Sequence, residues 1–165
     1  MLRVKDIEKS LKFYQEDLGM TLVRTIKNEA AGFNLYFLGY TGGRPVVPES
    51  DSSILEGLLE LTWNYGTEKD EKFKYHNGND QPQGFGHICR FPLQLHKPQS
   101  RADRFPSGIS VDNLDNACKR FEDRQCNWKK RLTDGRMKNV AFLLDPDGYW
   151  VEVVQNERFS GKDNF

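Results

Sequence analysis

Apolar residues recur along this chain with two periods, and the order of the periods repeats. Leu2 to Lys5 reads as a short strand, and Asp6 stands where a helix cap belongs. Ile7, Leu11, Tyr14 and Leu18 follow at steps of four, three and four, which is one face of a helix. Gly19 is the expected stop. Strands are expected at Met20 to Thr25, Phe33 to Tyr40 and Leu58 to Trp63. The Gly/Pro/Ser/Asp-rich stretch from Thr41 to Ser53 reads as a loop. The order is βαβββ.

The second half repeats it. Ile109 to Val111 is a strand, Asp112 or Asn113 caps a helix with the apolar face Leu114, Ala117, Cys118 and Phe121, and Asn127 to Leu132 is the next strand. Thr133-Asp134-Gly135 is turn-like, Val140 to Leu144 is a third strand, and Asp145-Pro146-Asp147-Gly148 is a strong turn before a fourth strand at Tyr149 to Val154. We read an internal duplication: a first module over 1–66, a linker over 67–84, and a second module over 85–157. Its chemical mark is a carboxylate in the middle of each fourth strand, Leu59-Glu60-Leu61 and Val151-Glu152-Val153. A carboxylate buried there is costly unless a cation or hydrogen bonds compensate it.

The second module is interrupted. Gly86-His87-Ile88-Cys89 begins a strand, but residues 90–108 contain Pro92, Pro98 and Pro106, which central strands exclude. Removing those 19 residues joins Gly-His-Ile-Cys to Ile-Ser-Val and puts His87 five positions before Val111. The segment is either a long surface loop, which closure entropy tolerates, or an extra piece from an alternative or imperfectly processed transcript.

Composition narrows the class. The 165 residues carry a formal net charge of zero, which gives no electrostatic case for nucleic acid or an anionic membrane surface. No apolar run approaches the roughly 20 residues of a membrane helix. Three cysteines, an odd number without metal-type spacing, and an N-terminus without a secretory leader lead to the expectation of a cytoplasmic protein.

The stretches MLRVKD, SLKFYQEDLGM, LELTWNYGTEKDE, YHNGN, GFGHI, ACKRFE and DGRMKNVAFLLDPDGYWVEV resemble glyoxalase I (lactoylglutathione lyase) of the vicinal-oxygen-chelate superfamily. The resemblance implies an α+β fold of two paired βαβββ modules, whose curved sheets form a half-open barrel around one divalent metal: zinc, or nickel as in many bacterial members. It implies Glu60, His87 and Glu152 as metal ligands, matching Glu, His and Glu of a Gln, Glu, His, Glu set. The Gln would fall two residues upstream of Met1, so the expectation is a chain that starts late and lacks that ligand.

The implied substrate is the hemithioacetal of methylglyoxal and glutathione. The metal would stabilise an enediolate while Glu152 shuttles a carbon-bound proton, giving S-lactoylglutathione. Arg3 and Asn64 match contacts to the glutamyl part. Lys130, Arg136 and Met137 match contacts near the glycyl end or the reaction centre, and His87 is expected to contact substrate as well as metal. Gln83 replaces a frequent family Arg. In short members two chains share each site, so a homodimer is expected. The alternative is a truncated, non-catalytic relative that at most binds metal or glutathione conjugates. A different superfamily chemistry, such as dioxygenase or epimerase, is the weaker third reading.

Overall fold

The computed structural model describes residues 1–41, 57–88 and 109–155. The expected interruption at 90–108 and all but the start of the Thr41 to Ser53 loop lie outside the described residues. The chain divides into two compact units, Met1–Asn77 and Gly78–Phe165. The division falls inside the stretch 67–84 expected as a linker: its first part belongs to one unit and its last part to the other.

In the first unit, β1 (Leu2–Val4) is followed by α1 (Ile7–Leu11), then β2 (Thr21–Asn28), β3 (Phe33–Gly39) and β4 (Leu59–Asn64). Asp6 caps α1, its carboxylate accepting from the backbone N–H of Glu8 and Lys9. The helix does not run on as an ideal α-helix. Lys12–Asp17 forms a wider π-type turn, with the Leu18 N–H donating to Phe13 O. The wider turn rotates the buried face. Ile7, Tyr14 and Leu18 are buried as the spacing predicts, but Ser10 and Phe13 join them and Leu11 is only half-buried. The sheet order is β1-β4-β3-β2, with β1 parallel to β4 and the other pairs antiparallel.

The second unit repeats that order. β5 (His87–Ile88) and β6 (Ile109–Val111) both run parallel to β9 (Trp150–Gln155). β9's other edge is taken by antiparallel β8 (Val140–Leu144), which pairs with β7 (Asn127–Lys130). His87 is in register with Trp150, Ile88 with Val151, Ile109 with Val153 and Val111 with Gln155. Along β9, His87 and Val111 are thus five positions apart, so β5 and β6 fill the place of one strand. Between β6 and β7, α2 (Leu114–Asp123) is capped by Asn113, whose side chain accepts from the Asn116 N–H.

Residues alternate between two faces along each fourth strand. On β9, Val151 and Val153 are fully buried and share their face with Gln155. The Gln155 side chain accepts from the Leu114 N–H at 2.9 Å and donates to Asp112 O at 2.6 Å, which ties α2 to that face. The core there comprises Val151, Val153, Ala141, Leu143, Ile109, Leu114, Cys118 and Phe121. Burial pushes the Cys118 thiol up to about 11, with Asp115 and Glu122 adding to the shift. Phe121 is 1% exposed and meets Trp128 edge-on. Phe121→Ala is expected to cost about 3–5 kcal/mol, read from urea unfolding followed by circular dichroism. A loss below about 1 kcal/mol would contradict this role for α2.

Candidate functional site

The face of β9 opposite the core carries Trp150, Glu152 and Val154. Cross-strand partners point to the same face, so Phe142 and Lys130 stand in one row with Glu152: Lys130 pairs with Phe142, and Phe142 with Glu152. His87, in register with Trp150, enters from the other edge. Its Nε2 lies 3.1 Å from Glu152 Oε2. The Glu152 side chain is 12% exposed and that of His87 35%. The imidazole meets Phe142 edge-on at 5.5 Å, and Phe142 meets Trp150 at 6.1 Å. The pair therefore sits on an aromatic floor with its open side towards solvent.

An imidazole and a carboxylate at this distance can share a proton or a cation. Zinc takes nitrogen and oxygen donors at about 2.0–2.2 Å. Two such donors on one ion, at angles between right and tetrahedral, are about 2.9–3.4 Å apart. The His87–Glu152 separation lies in that range, so these two residues fit a divalent metal in distance and in donor type. Among the described residues, no three His, Cys, Asp or Glu side chains gather at one point.

His87 is held by a loop that carries no periodic signal. Asn79 Nδ2 donates to Gly86 O at 2.7 Å, and the Gly86 N–H donates to Asn79 Oδ1 at 3.1 Å. The side-chain amide thus pairs with the backbone just before His87 as a neighbouring strand would. Gly84 and Phe85 N–H both donate to Gly78 O, and Gln83 Nε2 donates to Asn79 O. Gly78 has a positive φ, and a Cβ there would collide with Phe85. Phe85 in turn meets the buried Tyr149. Beyond Tyr149, the Asp145 carboxylate accepts from the N–H of Asp147 and Tyr149, which fixes the turn into β9.

The first unit has a corresponding face. On β4, Glu60, Thr62 and Asn64 alternate with Leu59, Leu61 and Trp63, and Leu61 is fully buried. Glu60 pairs with Phe37 as Glu152 pairs with Phe142. Arg3, in register with Thr62, shares this face. Asn64 Nδ2 donates to the Tyr75 hydroxyl at 2.7 Å, and Tyr75 rests edge-on against Phe73. Arg3, Glu60 and Asn64 are thus brought to one side of the first sheet. Tyr75 and Asn79 are the two ends of YHNGN, a stretch whose resemblance named no role for either.

The hairpin between β7 and β8 carries the remaining expected residues. Arg136 and Met137 are exposed at its tip. Lys130 Nζ donates to Met137 O at 2.6 Å, Val140 O at 2.8 Å and Arg131 O at 3.3 Å. The Arg131 N–H donates to Asp134 Oδ2 at 2.8 Å and holds that carboxyl below its ordinary range.

Residues 1–153 match the Glyoxalase/Bleomycin resistance protein/Dioxygenase superfamily. The chain is 46% identical over 160 residues to a lactoylglutathione lyase of Pseudomonas putida, covering 94% of this chain and 82% of that protein. It is 46% identical to glyoxalase I of Saccharomyces cerevisiae, over 93% of this chain and 41% of that one. It is 42% identical to a lactoylglutathione lyase of Schizosaccharomyces pombe, over 99% and 48%. The chain thus spans most of the bacterial relative and less than half of either yeast relative. Among solved structures, the trypanothione-dependent glyoxalase I of Leishmania major superposes with a TM-score of 0.64 at 23% identity, over 98% of this chain and 87% of that one. Glyoxalase I from Zea mays does so with a TM-score of 0.62 at 25% identity, over 94% and 43%. With its doubled βαβββ order and a glutamate at the matching place in each fourth strand, the chain belongs to the glyoxalase I (lactoylglutathione lyase) family of that superfamily.

Proposed function

We propose that this chain is a lactoylglutathione lyase, converting the hemithioacetal of methylglyoxal and glutathione to S-lactoylglutathione at a site formed by Glu60, His87 and Glu152. The observation that carries the reading is the His87–Glu152 pair, 3.1 Å apart on neighbouring strands, in a chain 46% identical to a lactoylglutathione lyase. Glu60 and the pair would hold zinc, with nickel as the alternative. When bound, the metal supplies a Lewis acid that steadies the charge developing on the substrate's two adjacent oxygens.

Glu152 is the base. Its carboxylate takes the proton from the carbon that bears sulfur and returns it to the neighbouring former carbonyl carbon, while the hydroxyl proton passes to the neighbouring oxygen. Phe142 and Trp150 keep water from its flank. Arg3 and Asn64 bind the glutamyl part of glutathione, with Tyr75 orienting the Asn64 amide, and the 131–139 hairpin binds the glycyl end. A homodimer brings these three ligands together, Glu60 of one copy joining His87 and Glu152 of the other. Among the described residues no helix is long and apolar enough to cross a membrane. Glutathione chemistry suits a reducing cytoplasm, and we assign the protein there.

The test is thioester formation at 240 nm by the purified chain with zinc and with nickel, alongside bound-metal stoichiometry. Metal bound without turnover would favour the non-catalytic alternative. Glu152→Gln is expected to lower kcat by about 10²–10⁴-fold while leaving the melting temperature near that of the parent. Turnover retained in that variant would overturn the base assignment. Asn79→Ala, which removes both bonds to Gly86, is expected to weaken zinc binding about 10–100-fold in competition with a chromophoric chelator. Asn79→Asp keeps an acceptor for the Gly86 N–H and should fall between. An unchanged zinc affinity in the alanine variant would show that the loop does not orient His87.

A further inference from the structure

One edge of β9 is covered by two pieces of strand laid end to end. β5 sets His87 and Ile88 opposite Trp150 and Val151, and β6 sets Ile109, Ser110 and Val111 opposite Val153, Val154 and Gln155. Both pieces run parallel to β9. A single position of β9, Glu152, lies between them, whereas twenty residues, 89–108, separate them in sequence.

A connection between parallel strands ordinarily carries the chain to a new place in a sheet. This one returns it to the edge it left, one position further along, so the order of the other strands does not depend on it. The faces agree as well. Residues in register across the ladder point to the same side. His87 therefore stands on the face of Glu152, and Ile109, 5% exposed, on the face of the buried Val151 and Val153. One residue between Ile88 and Ile109 preserves that alternation. None or two would break it, because a slip of one position turns the following side chains to the other face. The first unit shows the same arrangement downstream of this point: β1 pairs with β4 as β6 pairs with β9, and a capped helix follows each.

We infer that residues 90–108 are a register-neutral insertion: removing them joins His87 to Val111 in one unbroken strand and holds His87 more firmly beside Glu152. The ladder in the longer chain is cut at the level of Glu152, where β5 has only two residues to anchor it. The zinc part of this inference rests on the metal reading of the His87–Glu152 pair; the register part does not.

Three deletions from the full chain decide it: 90–108, 89–108 and 91–108. They leave one residue, none and two between Ile88 and Ile109. The connection each removes is nearly equal in length, so the entropy gained from a shorter loop is nearly the same and the three differ in register. Thermal unfolding is followed by circular dichroism, with hydrogen exchange at the Ile88 and Ile109 amides and zinc affinity by competition with a chromophoric chelator. Deletion of 90–108 should raise the melting temperature by about 4 °C or more over the parent. It should slow exchange at the two amides about ten-fold or more and tighten zinc binding by about ten-fold. The other two deletions should melt at least about 5 °C below it. A 90–108 deletion that does not fold, or three deletions that melt alike, would overturn the inference. Zinc affinity unchanged in a stabilised 90–108 deletion would overturn the role given to His87. Zinc bound by neither that chain nor the parent would count against the metal reading, while the melting temperatures would still decide the register.

Discussion

A carboxylate between two fully buried valines is the constraint around which the second unit is arranged. Val151 and Val153 commit one face of β9 to the core, so Glu152 must point the other way, onto a face that Phe142 and Trp150 make apolar. With 12% of its side chain exposed, its charge is poorly served by water, and an anion in that position needs a partner. His87 is that partner. Its place is fixed twice over, by the parallel register of β5 on β9 and by the Asn79 amide that pairs with Gly86. Burial of the valines, not any property of the carboxylate, aims Glu152, and the loop before β5 aims the imidazole that meets it.

The same logic operates in the first unit with a different outcome. Leu61 commits one face of β4, so Glu60 points away beside Phe37. β1 supplies Arg3 to that face, but no histidine. The repeat thus gives two sheets of one topology whose polar faces differ. One carries an imidazole and a carboxylate in contact. The other carries a carboxylate with an arginine and an amide suited to an anionic ligand. Duplication sets the positions, and substitution within each copy decides the chemistry.

Much of this was legible in the sequence because it rests on periodicity and on local hydrogen bonding. The caps Asp6 and Asn113, the alternation along both fourth strands and the turn at Asp145 to Gly148 all follow from short-range rules. The join between β5 and β6 was legible for the same reason, since a five-position spacing survives removal of the intervening residues. The π-type turn at Lys12–Asp17 was not, because one residue of extra winding leaves no compositional trace and shows only in which side chains end up buried. Tyr75 and Asn79 were missed because they act from loops, where a polar side chain has no period to obey. Lys130 was expected, by resemblance, to contact substrate. The direction of its ammonium depends on carbonyls up to ten positions ahead, and no local rule predicts that.

These features divide the labour between strands and loops in a physically sensible way. Under the proposed lyase reading, moving a proton requires donor and acceptor positions fixed to fractions of an ångström, and strands clamped by core burial would provide that for Glu152. Holding an anionic ligand by its charged end asks less of geometry and more of charge, and under the same reading an exposed hairpin would meet that need. Lys130, Arg131 and Lys138 are each tied to the protein by hydrogen bonds. The order of the hairpin is then set by bonds within the fold, and a ligand that met it would spend less binding energy on ordering it. A loop built this way can differ between relatives in which anion it accepts while the strand-borne pair beneath it stays the same.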